Sequence, residues 1–509
     1  MTRRLPLLLA ACLALASGFA QKKVLSYPFE FEKSFLARGD YDTYFLDNPA
    51  NNTFALVLKD NKKIEYVLAD QNFKVIAKIS SDIGSTVFDT KNLKDCTGGT
   101  ANGHQYHFVY PGSKGEFEVE TVDFDAKAVS HKMLIELPKE QKPLASFSDN
   151  NVFYIVTTND KSGEIAINAM DASGTLTQKS MAFPIPEEAS RHRDKLSEYL
   201  GGLKVIKGSE FPDLSSAIKQ AKLFSLPGKL LFLVNDGDNP AHIVGLQLPG
   251  YAMEEKKIDY ASLVPKDEKG KVYISSFLKD NRLFSLVLNK KNIRIVVNDL
   301  QSGAVLNKIE INDDAALGMF ADGPLTERRM GKKEDARDVT DVKKLIQLFT
   351  RGTEGLMVTE NKSGQLIITA GTYDLIPMSS GGSSGGYVGG FQQGSMAVTP
   401  GITNHGATSS AVSVYNPTMY YRPGTPGYTT TNARYYYTTY FKLLVDPANF
   451  KIAHGRVPEP VPEQIKDYID TIDKKAKATN QFSIGKNQYY GYYDRDAKSY
   501  VVEQIRVIL

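Results

Sequence analysis

The feature that most constrains this sequence is a group of three short β-segments that recurs along the chain. The runs are rich in β-branched and aromatic residues and are bounded by Asn, Asp, Gly and Ser, which is typical of short strands joined by tight turns. Three copies are clear: Phe54–Leu58 with Ile64–Leu68 and Val75–Ile79; Val152–Val156 with Glu164–Ala169 and Leu176–Met181; Leu283–Leu288 with Ile293–Val297 and Val305–Ile311. No helical pattern alternates with these runs, so the sequence predicts antiparallel sheets.

The turns also recur in kind. Asp70–Asn72, Asp171–Gly174 and Leu300–Gly303 each follow a second run and precede a third, and Asp446–Asn449 leads into Phe450 in the same way. Asp, Asn and Gly suit such positions because they tolerate left-handed backbone angles, and Asp and Asn also bond to nearby amides. These segments therefore predict the turns between the third and fourth strands of repeated sheets.

The spacing of the repeats indicates the architecture. Leu230 and Leu283, which begin corresponding strands, are 53 positions apart, and Phe54 and Val152 are 98 apart, or two units of 49. A period of about 40–50 residues with four strands per unit is typical of β-propellers. The chain resembles β-propeller repeat proteins over most of its length, although the repeats lack the WD, kelch and Asp-box patterns that would define a subfamily.

We predict an all-β propeller of seven four-stranded blades, with six as the alternative. The predicted units are 42–81, 100–137, 145–183, 220–260, 272–311, a sixth split between 355–377 and 436–455, and a seventh within 482–508. The seventh unit lacks one strand. Val24–Phe31 can supply it, which would close the ring and cover an exposed sheet edge.

The N-terminus predicts export. Arg3 and Arg4 precede the apolar run Leu5–Ala16, and Gly18-Phe19-Ala20 offers small residues at a cleavage site. This is the layout of a signal peptide over residues 1–20, followed by one propeller domain over 21–509 that is periplasmic, on the outer surface or extracellular. The alternative is a lipoprotein anchored through Cys12, but the apolar run continues beyond Cys12, which favours ordinary secretion.

Charge and cysteine content narrow the functional classes. The net charge is +3 and falls to +1 without Arg3 and Arg4, so nothing favours nucleic acid or an anionic membrane as a partner. No later apolar stretch has the roughly 20 residues of a membrane span. Only Cys96 remains after cleavage at Ala20, so burial and backbone pairing must hold the fold without an intrachain disulfide.

Three insertions carry helical patterns. The first, 187–219, places Leu196, Tyr199 and Leu200 on one face. The second, within 313–350, is helical over Asp335–Phe349. The third, within 460–478, is helical over Pro462–Lys477, with Pro462 in its first turn and Ile465, Ile469, Ile472 and Ala476 as its apolar stripe. The basic cluster Arg328, Arg329, Lys332 and Lys333 precedes the second helix. Each insertion either packs on the rim of the propeller or docks a partner.

The most unusual segment is 378–437, which we predict to be a flexible loop. It begins with a tract that is nearly all Gly and Ser, and such tracts bury too little surface to pack. The flanking runs Leu366–Thr372 and Tyr436–Val445 predict one hairpin, so the loop would protrude from a blade. It is either a tolerated insertion or a partner-binding element, because exposed tyrosines give contact area at low entropic cost. The candidate partner-binding residues are Tyr415, Tyr420, Tyr421, Arg422, Tyr428, Arg434, Tyr435, Tyr436 and Tyr437, together with Arg328 and Arg329.

The sequence contains three weak matches to reactive-site patterns. Gly381–Gly385 fits the G-x-S-x-G pattern but lies in the Gly/Ser tract, without the following helix that a nucleophile elbow requires. Cys96, His104 and His107 are too few for a structural zinc site, and the two histidines fall on opposite faces of a strand. Asn235–Asn239 offers oxygens to calcium but fits a plain hairpin turn better. We therefore predict no catalytic, metal or cofactor-binding residues.

The resulting hypothesis is an exported, non-catalytic propeller that acts as a protein-binding scaffold or as a subunit of a cell-envelope assembly. The alternative is a carbohydrate-binding or carbohydrate-active propeller with its ligand at the channel mouth. Propeller channels can bring carboxylates together at glycosidase spacing, so an enzyme stays open, although a fold does not by itself imply a function.

Overall fold

We analysed a computed structural model of the chain. It describes residues 22–31, 42–60, 63–82, 96–112, 115–187, 195–208, 211–236, 240–260, 263–265, 271–321, 325–329, 337–376, 435–455, 457–458, 461–472, 476–485 and 487–507.

Seven sheets make up the described chain, and each corresponds to one predicted repeat. Blade 1 contains β2 (Asp42–Asn48), β3 (Thr53–Lys59), β4 (Lys63–Asp70) and β5 (Val75–Asp82). Blade 2 contains β6 (Gly98–Asn102), β7 (Gln105–Pro111), β8 (Glu116–Asp123) and β9 (Ala128–Glu136). Blade 3 contains β10 (Gln141–Asp149), β11 (Val152–Asn159), β12 (Glu164–Met170) and β13 (Leu176–Ala182).

The remaining blades carry the additions to this plan. Blade 4 contains β14 (Lys204–Lys207), β15 (Ala221–Leu226), β16 (Lys229–Val234), β17 (Ala241–Gln247) and β18 (Ala252–Ile258). Blade 5 contains β19 (Tyr273–Lys279), β20 (Arg282–Leu288), β21 (Ile293–Asp299) and β22 (Val305–Ile311). Blade 6 contains β23 (Leu325–Arg329), β24 (Arg337–Val339), β25 (Thr353–Glu360), β26 (Leu366–Ile376), β27 (Tyr435–Val445) and β28 (Ile452–Ala453). Blade 7 contains β29 (Lys477–Ile484), β30 (Asn487–Asp494), β31 (Ser499–Ile505) and, from the N-terminus, β1 (Lys22–Pro28).

The N-terminal strand closes the ring, as the sequence predicts. The order of the sheet in blade 7 is β1-β31-β30-β29, and the antiparallel pairing of β1 with β31 runs from Lys22 opposite Gln504 to Pro28 opposite Ser499. Leu25 and Tyr27 are buried, while the alternate residues of β1 face outward. The first and last strands are thus held in one sheet, and the chain is a seven-bladed β-propeller.

The hydrophobic core lies between the blades, which explains the strand sequences. All seven residues of β3 are buried because both faces of an inner strand are covered by neighbouring blades. The outermost strand β9 has no fully buried residue, and its sequence is correspondingly polar. Between blades 7 and 1, the rings of Phe482 and Phe45 stack with centroids 3.8 Å apart. Aromatic rings also meet between blades 1 and 2, between blades 4 and 5, and between blades 5 and 6.

The recurring turns have the predicted chemistry. Oδ1 of Asp171 accepts hydrogen bonds from the backbone N–H groups of Ser173 and Thr175, and Oδ1 of Asp299 accepts one from the N–H of Ser302. Gly303 has φ of +76°, a conformation that glycine adopts without strain. These turns join the third and fourth strands of blades 3 and 5, which confirms the prediction.

The insertions differ in part from their predicted form. In the described part of segment 187–219 there are two one-turn helices, α1 (Leu196–Tyr199) and α2 (Leu214–Ala217), separated by the strand β14. In the next insertion, helix α3 (Val342–Phe349) starts later than the predicted Asp335, because 337–339 pairs as a strand and Asp341 caps the helix by accepting from the N–H of Lys343. The last helix, α4 (Val461–Thr471), ends before the predicted Lys477, where β29 begins.

Candidate functional site

The long connections of the propeller leave it on one face. Neighbouring strands in a blade are antiparallel, so the connections from fourth to first strand and from second to third strand meet at the same end of the sheets. Connections 183–220, 312–352, 377–434 and 454–476 are all of these two kinds. We call this end the insertion face. The opposite end, which we call the turn face, has short turns such as 171–175.

On the insertion side of blade 4, a strand from the first insertion lies inside the ring. β14 pairs in parallel with β15, with Lys204 opposite Lys222 and Lys207 opposite Ser225. It occupies the edge of β15 that faces away from β16, which is the edge nearest the central channel. The insertion therefore fills part of the channel instead of lying on the outer rim.

Helix α2 extends this filling toward blades 5 and 6. Asp213 caps the helix, since its Oδ1 accepts a 2.7 Å hydrogen bond from the N–H of Ser216. A Cβ placed on Gly371 of β26 would lie 2.5 Å from Cδ2 of Leu214, and one on Gly355 of β25 would lie 2.9 Å from the N of Ile218. Glycine at these two positions lets the insertion approach the blade backbones closely. We call β14 and α2, with their link 208–213, the channel plug.

Beneath the channel plug lies a fully buried lysine. Lys222 has no exposed surface, and its Nζ donates a 2.6 Å hydrogen bond to the carbonyl of Lys219. Burial lowers the pKa of Lys222 to about 7, and the carboxylate of Glu354 on β25 partly opposes that change. Burial also raises the pKa of Glu354. An amine with this pKa could act as a nucleophile near neutral pH. Because the channel plug covers Lys222, its amine has no access to a substrate and serves as a hydrogen-bonded group within the core.

Blade 6 rises beyond its neighbours on the insertion face. Strands β26 and β27 each have 11 residues. The N-terminal half of β27 pairs with β23, with Arg328 opposite Thr438 and Arg329 opposite Tyr437. At the other end of β27, Val445 lies opposite Ile452 of β28. Strands β23, β24 and the ends of β26 and β27 thus form a sheet extension that continues the blade outward.

The sheet extension gathers part of the predicted partner-binding set. Tyr435, Tyr436 and Tyr437 form the first residues of β27, and Arg328 and Arg329 end the neighbouring strand β23. The pairing of Ile376 with Tyr435 confirms the predicted hairpin and brings the two ends of 377–434 together. The other predicted residues, namely Tyr415, Tyr420, Tyr421, Arg422, Tyr428 and Arg434, lie outside the described residues, as does Gly381–Gly385.

Helix α4 packs against blade 7. Its residues Val461 and Ile465 form a buried cluster with Tyr490 and Ile505, and Phe211 of the first insertion packs against the same cluster. The hydroxyl of Tyr468 donates a hydrogen bond to Glu503. The first and last insertions therefore meet at the insertion face.

The residues considered for a metal site are held apart. Cys96 is buried, its thiol donates a 3.4 Å hydrogen bond to the carbonyl of Gly98, and burial raises the pKa of the thiol to about 12. His104 pairs with Asp125 at 2.9 Å in a turn, whereas His107 lies in β7. Within the described residues, no three His, Cys, Asp or Glu side chains converge on one point.

The Asn235–Asn239 segment joins a hairpin. Val234 at the end of β16 pairs with His242 in β17, which confirms the predicted turn. Asn235 binds across to blade 5, where its Oδ1 accepts a 2.8 Å hydrogen bond from the N–H of Ser276, and Asp236 accepts one from Gln220. Asn235 therefore joins blade 4 to blade 5, and Asp236 bonds within blade 4.

Sequence reasoning missed a buried carboxyl group between blades 1 and 2. Glu120 is 1% exposed and accepts a 2.8 Å hydrogen bond from the hydroxyl of Tyr66. Burial raises the pKa of Glu120 to about 8, although the Tyr66 bond and Lys59 oppose the change. In the sequence, Glu120 is one of several acidic residues in β8, and only the packing of the neighbouring blade distinguishes it.

Comparisons with known proteins support no assignment to a family. No family model and no curated protein matches the chain. Among solved structures, the Dos1 propeller is similar over 69% of this chain and 84% of its own, at 11% identity and a TM-score of 0.28. The β-propeller domain of the Trilobed protease from Pyrococcus furiosus is similar over 65% and 89%, at 12% identity and a TM-score of 0.26. A prolyl endopeptidase structure is similar over 66% of this chain but only 46% of its own length, at 8% identity and a TM-score of 0.28.

The assignment to the β-propeller class rests on the strand order within the chain itself. Among the described helices, none has the length and apolar character needed to cross a membrane.

Proposed function

We propose that this propeller binds a protein partner through its insertion face, in an exported compartment, as a scaffold without catalytic activity. The observation that carries the proposal is that the long connections between described strands all begin and end on one face, whereas on the turn face the described strands are joined by short turns. Binding residues concentrate on loops that a rigid scaffold positions. The seven sheets provide such a scaffold.

The sheet extension is the proposed centre of this surface. It sets Arg329 opposite Tyr437 and places both ends of 377–434 at its tip. Tyrosine and arginine are the residue types that dominate binding energy in protein interfaces. Their concentration in and beside one raised sheet supports a protein partner.

The channel plug favours this function over a ligand in the channel. β14 and α2 occupy the channel beside blades 4 to 6, and Lys222 beneath them has no exposed surface. A sugar-binding funnel would need that space to be open. The test below therefore includes a result that would support the carbohydrate alternative.

The test uses a variant in which 377–434 is replaced by Asn-Gly. Because Ile376 and Tyr435 are directly opposed in the hairpin, a two-residue turn can join them without disturbing blade 6. Crosslinking mass spectrometry in intact cells is expected to give reproducible crosslinks from the wild type to one or two envelope proteins, and to lose them in the variant. A control variant, Lys127→Asn, changes a left-handed position on the turn face and should keep the crosslinks.

Two results would overturn the proposal. One is an unchanged crosslink pattern in the Asn-Gly variant, which would place binding elsewhere. The other is recovery of wild-type protein free and monomeric, with both proteins binding the same glycans on an array; that result would support a channel ligand.

Export is tested by the mass of the mature chain. Processing by ordinary secretion is expected to give an N-terminus at Gln21 in the soluble fraction of the envelope. A lipidated N-terminus at Cys12 in the membrane fraction would instead support the lipoprotein alternative.

A further inference from the structure

His107 lies in the seam between blades 2 and 3. It belongs to β7, is 5% exposed, and its Nδ1 lies 2.9 Å from Oγ1 of Thr121 on β8. Its Nε2 has no hydrogen-bond partner within the described residues. A Cβ placed on Gly174, in the 171–175 turn of blade 3, would lie 3.1 Å from Cε1 of the imidazole. The ring is therefore wedged directly against that turn.

The two charged groups that face His107 act in opposite directions. From blade 3, the carboxylate of Asp171 is the facing acid, but its Oδ1 already accepts from Ser173 and Thr175 within the turn. From β9, Lys132 repels a positive ring.

The other neighbours in the seam are neutral. Thr121 on β8 binds Nδ1, and Thr100 of β6, which lies opposite His107 in the sheet, donates a 3.0 Å hydrogen bond to the carbonyl of Asp171. The same seam therefore holds the turn and buries the imidazole.

The environment disfavours the charged form of this histidine. Burial lowers the pKa of His107, Lys132 lowers it further, and Asp171 and the carbonyl of Ala172 oppose the change. An imidazolium carries an N–H on both nitrogens, so protonation would place a charge and a second donor in a site that is closed to water.

We propose that His107 is an acid-sensitive latch, and that its protonation releases the 171–175 turn of blade 3 from blade 2. The buried charge can be solvated if the seam opens to water, and that opening frees the turn. This response lies on the turn face, so it is independent of partner binding at the insertion face.

The direction of the pH effect follows from linkage. When the seam opens, the ring regains its ordinary pKa near 6.5. The closed seam has a lower pKa, so the open state binds more protons as the pH falls below about 6.5. The opening equilibrium then rises by up to about tenfold per pH unit and levels off below the pKa of the closed seam.

The test compares hydrogen exchange in the wild type and in His107→Gln at pH 5.5 and 7.5. Comparing two proteins at one pH cancels the intrinsic exchange rate. In peptides covering 98–111 and 164–182, the ratio of the wild-type exchange rate to that of the variant should be severalfold higher at pH 5.5 than at pH 7.5. A change in baseline stability would move the ratio equally at both pH values. His104→Gln, which alters an accessible imidazole three positions away, should behave like the wild type.

A second variant tests the latch without touching the histidine. Lys132 is exposed, so Lys132→Gln should fold normally and raise the pKa of His107 in the closed seam. The ratio of its exchange rate to that of His107→Gln should therefore increase less at pH 5.5 than the wild-type ratio does. The proposal fails if the ratio of wild-type to His107→Gln exchange is the same at both pH values, or if peptides covering 283–297 of blade 5 show the same increase in that ratio at pH 5.5. An acid response in Lys132→Gln equal to that of the wild type would also overturn it.

Discussion

The hydroxyl of Tyr66 in blade 1 donates a 2.8 Å hydrogen bond to Oε1 of Glu120 in blade 2, and both side chains are buried. The pair crosses the seam between two sheets whose strands are far apart in the chain. Because burial raises the pKa of Glu120 to about 8, the carboxyl group is largely protonated at neutral pH and serves the seam as a neutral hydrogen-bonding group.

Glu120→Gln should therefore stabilise the protein at pH 8. Glu120 ionises near its ordinary pKa in the unfolded chain but only near 8 in the folded one, so its contribution to stability is complete below about pH 4.5 and is lost as the pH rises through 8. Urea unfolding should give a gain of about 1 kcal/mol or more at pH 8, where one pKa unit corresponds to about 1.4 kcal/mol, and little gain at pH 4.5. Glu136→Gln, at an exposed position of β9, is the control; a gain independent of pH would contradict this account.

Lys222→Met should stabilise the protein at pH 7. The pKa of Lys222 is about 7 in the folded chain and about 10.5 in the unfolded chain, so wild-type stability should increase as the pH rises from 7 to 10. The free energy of unfolding of the variant should rise less than that of the wild type between pH 7 and pH 10, because methionine has no proton to release on folding. The measurement is the free energy of unfolding of both proteins at pH 7, 8.5 and 10, with Lys229→Met in the same blade as the control. Parallel pH profiles for Lys222→Met and the wild type would show that the lysine reaches water.

Gly371→Ala should destabilise the junction between the channel plug and blade 6. The new Cβ would lie 2.5 Å from Leu214 and 2.8 Å from the Cβ of Tyr440, and only the first of these neighbours can move easily. Overpacking of this kind costs about 1–3 kcal/mol. Thermal unfolding should show the loss, whereas Gly208→Ala, which has no neighbour within 4 Å, should be close to neutral. Equal stability of the two variants would mean that the contact with Leu214 is looser than the structure has it.

The thiol of Cys96 should be unreactive in the folded protein. It is fully buried and its pKa is raised to about 12, so both access and thiolate formation are suppressed. In a chain that begins at Gln21, a maleimide should label Cys96 at least about 10³-fold more slowly in buffer than in urea, because labelling requires the seam between blades 1 and 2 to open. A Lys161→Cys variant provides an exposed thiol for comparison. Rapid labelling of Cys96 under native conditions would contradict the packing of this seam.

The sequence by itself determined the blades and the closure of the ring. The triplet Phe54–Leu58, Ile64–Leu68 and Val75–Ile79 became β3, β4 and β5, and Val24–Phe31 contains most of the strand that completes blade 7. These features could be predicted because strand alternation and turn chemistry are local, and each depends on residues within a few positions of one another. The hairpin at the base of 377–434 was predictable for the same reason.

Only the tertiary structure decided where the insertions go and which polar groups are buried. The segment 187–219 looked helical because Leu196, Tyr199 and Leu200 share a face, yet its middle forms a parallel strand against β15 inside the ring. Nothing local distinguishes Lys222 from an exposed lysine or Glu120 from an exposed glutamate. Their environments are created by residues more than fifty positions away in other blades, or by an insertion that folds back into the channel, and such contacts exist only once the ring has formed.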